Sequence, residues 1–328
     1  MNFKPLLIIL GEPYSIFSEI LFKSLKYKSI EKFKKKIILI GSKKLLEKQM
    51  LSLGYKFKFN EISLYEINKL KTCKNKINII NINFKFKRIF DKISNKSSYY
   101  IQNCFETSLK LIKIHKLMGL INGPISKKHF LNKKYLGITE YLSKKTNSRN
   151  SPTMLIYNSK ISVSPVTTHL PIKLVTKNLN KNKIINNVLE INKFYLKFLK
   201  KKPKFAILGL NPHCETVSNY SEEEKIIIPA IKKIKKKNIN ISGPYSADTF
   251  FSSKNISKFD VVIGMYHDQV LTPIKTLFNF DAINITLGLP FVRISPDHGT
   301  NNKMLGKNIS DPKSLISAIS FIKKLDVN

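Results

Sequence analysis

Short apolar blocks alternate along this 328-residue chain with longer stretches in which apolar residues recur every three or four positions. The blocks Leu6–Leu10, Lys36–Ile40, Ile77–Ile82 and Leu120–Asn122 predict buried strands, since a strand covered on both faces reads as one apolar run. Between them, Ser15–Lys26 places Ile16, Ile20, Leu21 and Leu25 at helical spacing. A second helix is predicted over Lys44–Leu53, where Gly54 can end it, and a long one over Tyr99–Met118 with Gly119 as its stop. In the middle, Met154–Tyr157 and Ile161–Val166 flank Asn158-Ser159-Lys160, a hairpin signature.

Further on, strands are predicted over Phe205–Leu210, Val261–Met265 and Ile283–Leu287. Helices are predicted over Lys183–Lys200, over Glu222–Lys236 with Ser221 as its N-cap, and over Pro312–Leu325 with Asp311 as its cap. The run Lys232–Lys237 closes the second of these, where cations suit the helix dipole. Strand–helix alternation of this kind predicts an α/β fold with a mostly parallel sheet, whose chemistry collects at the carboxyl ends of the strands. The length suits two domains sharing a cleft.

No apolar run approaches the ~18 residues of a membrane span, and Leu6–Leu10 is shorter than a signal-peptide core. A cytoplasmic protein with no membrane partner is expected. The three cysteines, Cys73, Cys104 and Cys214, are widely spaced and predict neither a disulfide framework nor a cysteine zinc site.

Charge changes the picture less than its size suggests. Lys and Arg number 58 against 21 acidic residues, but the excess is nearly all lysine and is spread over the whole chain. Asn and Ile are abundant as well, the joint bias an AT-rich coding sequence produces. Nucleic-acid readers favour arginine forks interleaved with aromatics. A solvated lysine-rich surface is therefore expected, with no nucleic-acid partner, though the charge can attract phosphorylated substrates over long range.

Three of the six histidines follow strand-like runs in polar, turn-rich settings: Thr167-Thr168-His169, Asn211-Pro212-His213 and Tyr266-His267-Asp268. Imidazole is the commonest protein ligand for divalent transition metals, and three ligands from separate loops would leave positions open for substrate. Taken singly, each is more often a polar loop or core residue than a ligand, and the shared strand-end setting brings the two readings level. Asp268 and Asn211 stand close enough in sequence to orient the imidazoles. His115 and His129, among lysines, read as surface residues.

Gly123-Pro-Ile-Ser-Lys127 joins a predicted strand to a helix and can hold a phosphate on free amides, or serve as a plain capped turn. Lys275 and Arg293 can clamp an anion. Arg293 carries more weight, because the chain has only three arginines. No GxGxxG, P-loop, GxSxG or HExxH motif occurs, so a Rossmann-type dinucleotide site has no support.

At these clusters the chain resembles the 4-hydroxythreonine-4-phosphate dehydrogenases, enzymes of pyridoxal phosphate biosynthesis with a fold akin to isocitrate and isopropylmalate dehydrogenases. The resemblance rests on segments in family order. They are Asn122-Gly-Pro-Ile-Ser-Lys127, Gly137-Ile-Thr-Glu-Tyr-Leu142, Val166-Thr-Thr-His-Leu-Pro171 and Leu208-Gly-Leu-Asn-Pro-His213. Ser242-Gly-Pro-Tyr-Ser-Ala-Asp-Thr-Phe-Phe251, Met265-Tyr-His-Asp-Gln269, Asn284-Ile-Thr-Leu-Gly-Leu-Pro-Phe-Val-Arg293 and Asp297-His-Gly-Thr300 follow.

The resemblance implies two α/β/α domains flanking a cleft, residues 1–125 with 285–328 and residues 126–284, the second carrying metal ligands and dimer contacts. It implies that His169, His213 and His267 bind one divalent metal (zinc, magnesium or cobalt) in a site shared across a homodimer. Thr139, Lys275, Asn284 and Arg293 match substrate-binding positions, and Asp248 matches a polar position near the site. The implied reaction is NAD- or NADP-dependent oxidation of 4-phosphooxy-L-threonine to a 2-amino-3-oxo acid. Loss of CO2 from that acid gives 3-amino-2-oxopropyl phosphate.

Two departures stand out. Ile138 replaces the family's substrate-contacting histidine, and Gly11-Glu-Pro-Tyr-Ser-Ile-Phe-Ser-Glu19 lacks two glycines and a proline of the family's first loop. Ile138 motivates a rival, a related metal-dependent dehydrogenase for another phosphorylated hydroxy acid. Charge alone motivates a basic nucleic-acid-binding protein. A phosphate acyltransferase of related fold would not need the three histidines.

Overall fold

A computed structural model describes residues 4–67, 76–131, 135, 137–148, 152–215, 221–252, 254–278, 282–296 and 298–327. In chain order its strands are β1 (Leu6–Ile9), β2 (Ile37–Gly41), β3 (Lys58–Glu61), β4 (Lys76–Asn81), β5 (Gly119–Asn122) and β6 (Thr153–Tyr157). They continue as β7 (Ser162–Thr167), β8 (Phe205–Leu208), β9 (Ile241–Tyr245), β10 (Val261–Tyr266), β11 (Ile283–Leu287) and β12 (Arg293–Pro296). By contact the chain divides into two compact units, Met1–Asn147 with Leu289–Val327, and Ser148–Gly288.

In the first unit the strands run parallel in the order β3-β4-β2-β1-β5-β12. All four residues of β1 are fully buried, as its unbroken apolar run requires. Leu7 and Ile9, with Ile38 and Ile40 of β2, pack into one core with Ile101, Cys104 and Phe105 of helix Ser98–Ile114. Phe130, Leu131, Tyr141 and Leu142 are buried in that same core. By contact, segment 126–147 falls in the first unit, where its apolar residues are committed. Residues 285–288 stay with the second, because β11 pairs antiparallel with β6.

The second unit orders its strands β11-β6-β7-β10-β8-β9. The hairpin forms as the sequence predicts, with β6 antiparallel to β7 and Ile156 opposite Val163. Strands β7, β10, β8 and β9 are parallel, and Thr167 stands beside Tyr266 at the ends of β7 and β10. The carboxyl ends of β7, β10 and β8 therefore share one edge.

Three strands escape the apolar pattern. β3 reads Lys-Phe-Asn-Glu and is partly exposed at an edge, β9 contains Gly243-Pro244, and β12 opens on Arg293. Helices Ile138–Lys145 and His267–Phe278 were also unpredicted, the latter holding Pro273 within it. The predicted helix to Met118 ends at Ile114, since His115 is already extended and the Met118 N–H bonds Pro5 O at the head of the sheet. After Gly123-Pro124 the chain enters a π-helical turn, Lys127–Leu131. Among the described residues no helix is long and apolar enough to cross a membrane.

Candidate functional site

The second unit brings the histidine loops to one sheet edge. His169 follows β7, His267 is the residue after β10 and opens helix His267–Phe278, and His213 lies beyond β8. The setting of His267 is thus a helix N-terminus rather than the turn its sequence suggests. The rings of His169 and His267 lie 5.8 Å apart, centroid to centroid. Nδ1 of His267 hydrogen-bonds Asp268 Oδ1 at 2.6 Å, which fixes the ring and leaves Nε2 as the position for another partner.

His213 stands differently. Its backbone is left-handed, with φ of 54°, followed by Cys214 at 60°, and its ring is mostly exposed. It faces Asp248, with Oδ2 at 3.7 Å from Nδ1. The Ser246 hydroxyl donates to Asp248 and holds its carboxyl below the usual range. Asn211, expected to orient an imidazole, instead donates its side-chain amide to Glu222 at 2.9 Å and Glu223 at 2.8 Å.

His169 and His267 suit a divalent metal as a pair of neutral nitrogen donors. Among the described residues no three His, Cys, Asp or Glu side chains lie close enough together to hold an ion. His213 therefore does not complete a three-ligand set with them within one chain. The other expected substrate residues of this unit are Lys275, exposed on the helix that His267 opens, and Asn284 on β11. Asn284 Oδ1 is buried and without a hydrogen-bond donor.

The first unit contains a cluster built around a buried arginine. Arg293 opens β12 and is 1% exposed. Its Nε donates to Asn122 Oδ1 at 2.8 Å and its Nη1 to Thr139 Oγ1 at 3.1 Å. Burial lowers its pKa to about 10, opposed by Glu140, so the guanidinium stays charged at neutral pH. Thr139 and Glu140 sit in the first turn of helix Ile138–Lys145, next to Ile138, which packs its half-buried side chain against the core of this unit. Asp297 of the expected motif lies outside the described residues. His115 and His129, expected on the surface, are half-buried, and His129 Nδ1 meets Asn95 Oδ1 at 2.8 Å.

Residues 33–322 match the family model described as "Pyridoxal phosphate biosynthetic protein PdxA". The chain belongs to the PdxA family. It is 40% identical over 321 residues to the 4-hydroxythreonine-4-phosphate dehydrogenase of Sulfurihydrogenibium sp., covering 96% of each chain. It is also 30% identical over 330 residues to a putative D-threonate 4-phosphate dehydrogenase of Oceanobacillus iheyensis, covering 97% of each. A putative 4-hydroxythreonine-4-phosphate dehydrogenase structure from Salmonella typhimurium superposes with a TM-score of 0.85 at 26% identity, covering 98% of this chain and 99% of that one. The PdxA fold here is the α/β class of isocitrate dehydrogenase, with mostly parallel strands flanked by helices. Family membership makes the chain an NAD(P)-dependent dehydrogenase.

Two buried carboxylates in this PdxA chain were invisible to motif reading. Glu223 falls in the first turn of the helix predicted over Glu222–Lys236, yet it is 1% exposed and accepts hydrogen bonds from the His213 loop. Its signal was periodicity: Glu223 shares a helical face with Ile227, Ala230, Ile231 and Ile234, all buried. Glu12, 2% exposed, accepts from Ser97 Oγ at 2.8 Å through Oε2, while Oε1 has no donor. Burial raises its pKa to about 7.

Proposed function

We propose that the chain oxidises 4-phosphooxy-L-threonine with NAD(P)+ to a 2-amino-3-oxo acid, which loses CO2 to give 3-amino-2-oxopropyl phosphate. Hydride goes from the β-carbon to the nicotinamide and the hydroxyl proton to solvent. The carboxylate then leaves as CO2, its bonding electrons drawn toward the new carbonyl. The observation that carries this reading is the buried, charged Arg293, braced by Asn122 and Thr139 in a chain of this family. A guanidinium held in place loses little freedom when it meets the substrate's anionic end. Thr139 adds a hydroxyl beside it, and Asn284 offers a buried acceptor suited to an ammonium or hydroxyl donor. Lys275 adds a second cation.

His169 and His267 would hold a divalent metal, with His213 as the third ligand and Asp268 and Asp248 as the acids that orient the rings. Bound there, a zinc, magnesium or cobalt ion supplies Lewis acidity that lowers the pKa of the substrate hydroxyl and steadies charge on its oxygen. As the family resemblance implies, the reading includes a homodimer whose site takes ligands from both chains. It also places the enzyme in the cytoplasm, beside the nicotinamide pool.

Ile138 motivates a second reading, a related dehydrogenase for another phosphorylated hydroxy acid, and D-threonate 4-phosphate, the compound named for the Oceanobacillus relative, is the candidate to test. The test is NADH or NADPH formation by purified protein with each phosphorylated compound, with and without divalent metal. A kcat/KM at least tenfold higher for 4-phosphooxy-L-threonine is expected. Turnover of the threonate alone establishes the second reading instead.

A further inference from the structure

One buried hydrogen-bond chain runs through all three histidine loops of the second unit. Thr167 Oγ1, two residues before His169, donates to Met265 O at 2.7 Å. Met265, two residues before His267, donates its N–H to Gln269 Oε1 at 2.7 Å. Gln269 Nε2 donates in turn to Gly209 O at 2.6 Å, at the head of the His213 loop. On the other side of that loop, Glu223 Oε1 accepts from the N–H groups of Leu210 at 2.7 Å and Asn211 at 2.9 Å. Its Oε2 accepts from Asn211 Nδ2 at 2.8 Å and Ser221 Oγ at 3.0 Å.

Two glycines make room for this arrangement. A Cβ on Gly209 would meet Glu223 Oε1 at 3.0 Å and Cys214 Sγ at 2.6 Å. A Cβ on Gly264 would meet Gln269 Oε1 at 3.0 Å and Val270 Cγ1 at 2.5 Å. Gln269 is 9% exposed and Glu223 1%. The loop they grip continues directly into the left-handed pair His213 and Cys214. A loop with two successive non-glycine residues at positive φ is costly to hold and needs fixed neighbours.

We propose that Glu223 and Gln269 are positioning residues, a clamp that grips residues 209–211 from both sides and so sets His213 relative to the β10 end carrying His267. Neither side chain needs to touch substrate or cofactor. The functional consequence rests on the proposed role of His213 as a metal ligand; the mechanical claim does not. Groups hydrogen-bonded directly to a metal ligand commonly change metal affinity about 10–100-fold when removed, and a clamp one step further out should act toward the lower end of that range.

The clamp is tested with Glu223→Ala, Glu223→Gln and Gln269→Met. Methionine keeps the length of Gln269 without its hydrogen bonds, and glutamine at 223 keeps one accepting oxygen. Amide hydrogen exchange across 205–215 is measured in each metal-free full-length variant, alongside Co2+ titration followed by visible absorption. Exchange at 209–215 should rise at least tenfold in Glu223→Ala and Gln269→Met, less in Glu223→Gln, while β7 and β10 stay protected. Co2+ should bind about tenfold or more weakly, with an altered absorption band. Unchanged exchange at 209–215 in both Glu223→Gln and Gln269→Met overturns the clamp, even should Glu223→Ala fail to fold. Faster exchange with unchanged Co2+ binding upholds the clamp and removes His213 from the metal site. No Co2+ binding by the unaltered protein likewise counts against the metal reading and leaves the clamp to the exchange data.

Discussion

Arg293 Nη1 donates to Thr139 Oγ1 across 3.1 Å, although 154 residues separate the two. The bond joins the head of β12 to the first turn of helix Ile138–Lys145, and Asn122 at the end of β5 completes the brace through Arg293 Nε. Glu140, whose Oε2 is buried and without a donor, supplies the opposing charge. Lysine carries all its donors on one nitrogen at the end of a flexible stem, so it does not reproduce the planar fork that reaches Asn122 through Nε and Thr139 through Nη1. Arg293→Lys is expected to raise KM for the phosphorylated substrate about 10–100-fold, the range of a charge-assisted hydrogen bond worth ~1.5–3 kcal/mol. Steady-state kinetics checks this; a KM within twofold of the unaltered enzyme removes Arg293 from the site.

Most of the element order was legible in the residues, for a physical reason. Strands β1, β2 and β10 are buried on both faces, so only an unbroken apolar run fits them. β12 was illegible because its first residue is a buried arginine, placed there for the cluster with Thr139 and Asn122 rather than for strand propensity. The histidine loops were legible as polar breaks after apolar runs, but their partners were not. Nothing in a one-dimensional reading distinguishes Asn211 bonded to Glu223 from Asn211 bonded to an imidazole. That distinction is set by the helix at 223–235 packing back over the end of β8.

Ile138 is the one expected substrate position that the structure commits to packing. Its side chain lies against the core containing Phe130, Tyr141 and Leu142. Placing histidine there exchanges apolar contact for a polar ring, which costs about 1 kcal/mol, while a recovered hydrogen bond to substrate is worth about as much. Ile138→His should therefore lower Tm by a few degrees and shift KM less than about fivefold. Abolished turnover in a protein that still unfolds cooperatively would mean that the pocket depends on an apolar wall.

Glu12 gives stability a pH dependence of predictable sign. Its carboxyl lies among Ser97, Tyr14, Gln49 and Tyr100, beside a cavity of about 20 Å3, and burial raises its pKa from 4.5 to about 7. Between those values the folded chain holds a proton that the unfolded chain has released. The stability contributed is complete below 4.5 and lost as pH rises through about 7. The loss is on the order of 3 kcal/mol, at roughly 1.4 kcal/mol per unit. Glu12→Gln keeps an oxygen for Ser97 and does not titrate. The drop in Tm between about pH 5 and pH 8 should be smaller in the variant than in the unaltered chain, measured by calorimetry. Equal drops would show that Glu12 is ionised in the folded protein.

The last prediction concerns where the third metal ligand comes from. His169 and His267 are neighbours in one chain, and His213 faces Asp248 instead. If a second chain supplies His213, a His213→Ala chain and a His169→Ala chain should each be inactive alone, yet regain activity when mixed. Statistical pairing would make half of the dimers mixed, and each mixed dimer would carry one intact site, so about a quarter of full activity is expected. His169→Ala mixed with His267→Ala should regain nothing, because both ligands would be lost from the same side of the site. Treatment with a chelator should abolish activity in the unaltered enzyme, and zinc, cobalt or magnesium should restore it. Recovery in the second mixture but not the first would place His169 and His267 in different halves of the site. Full activity in chelator for any of the three single variants would separate these histidines from catalysis altogether.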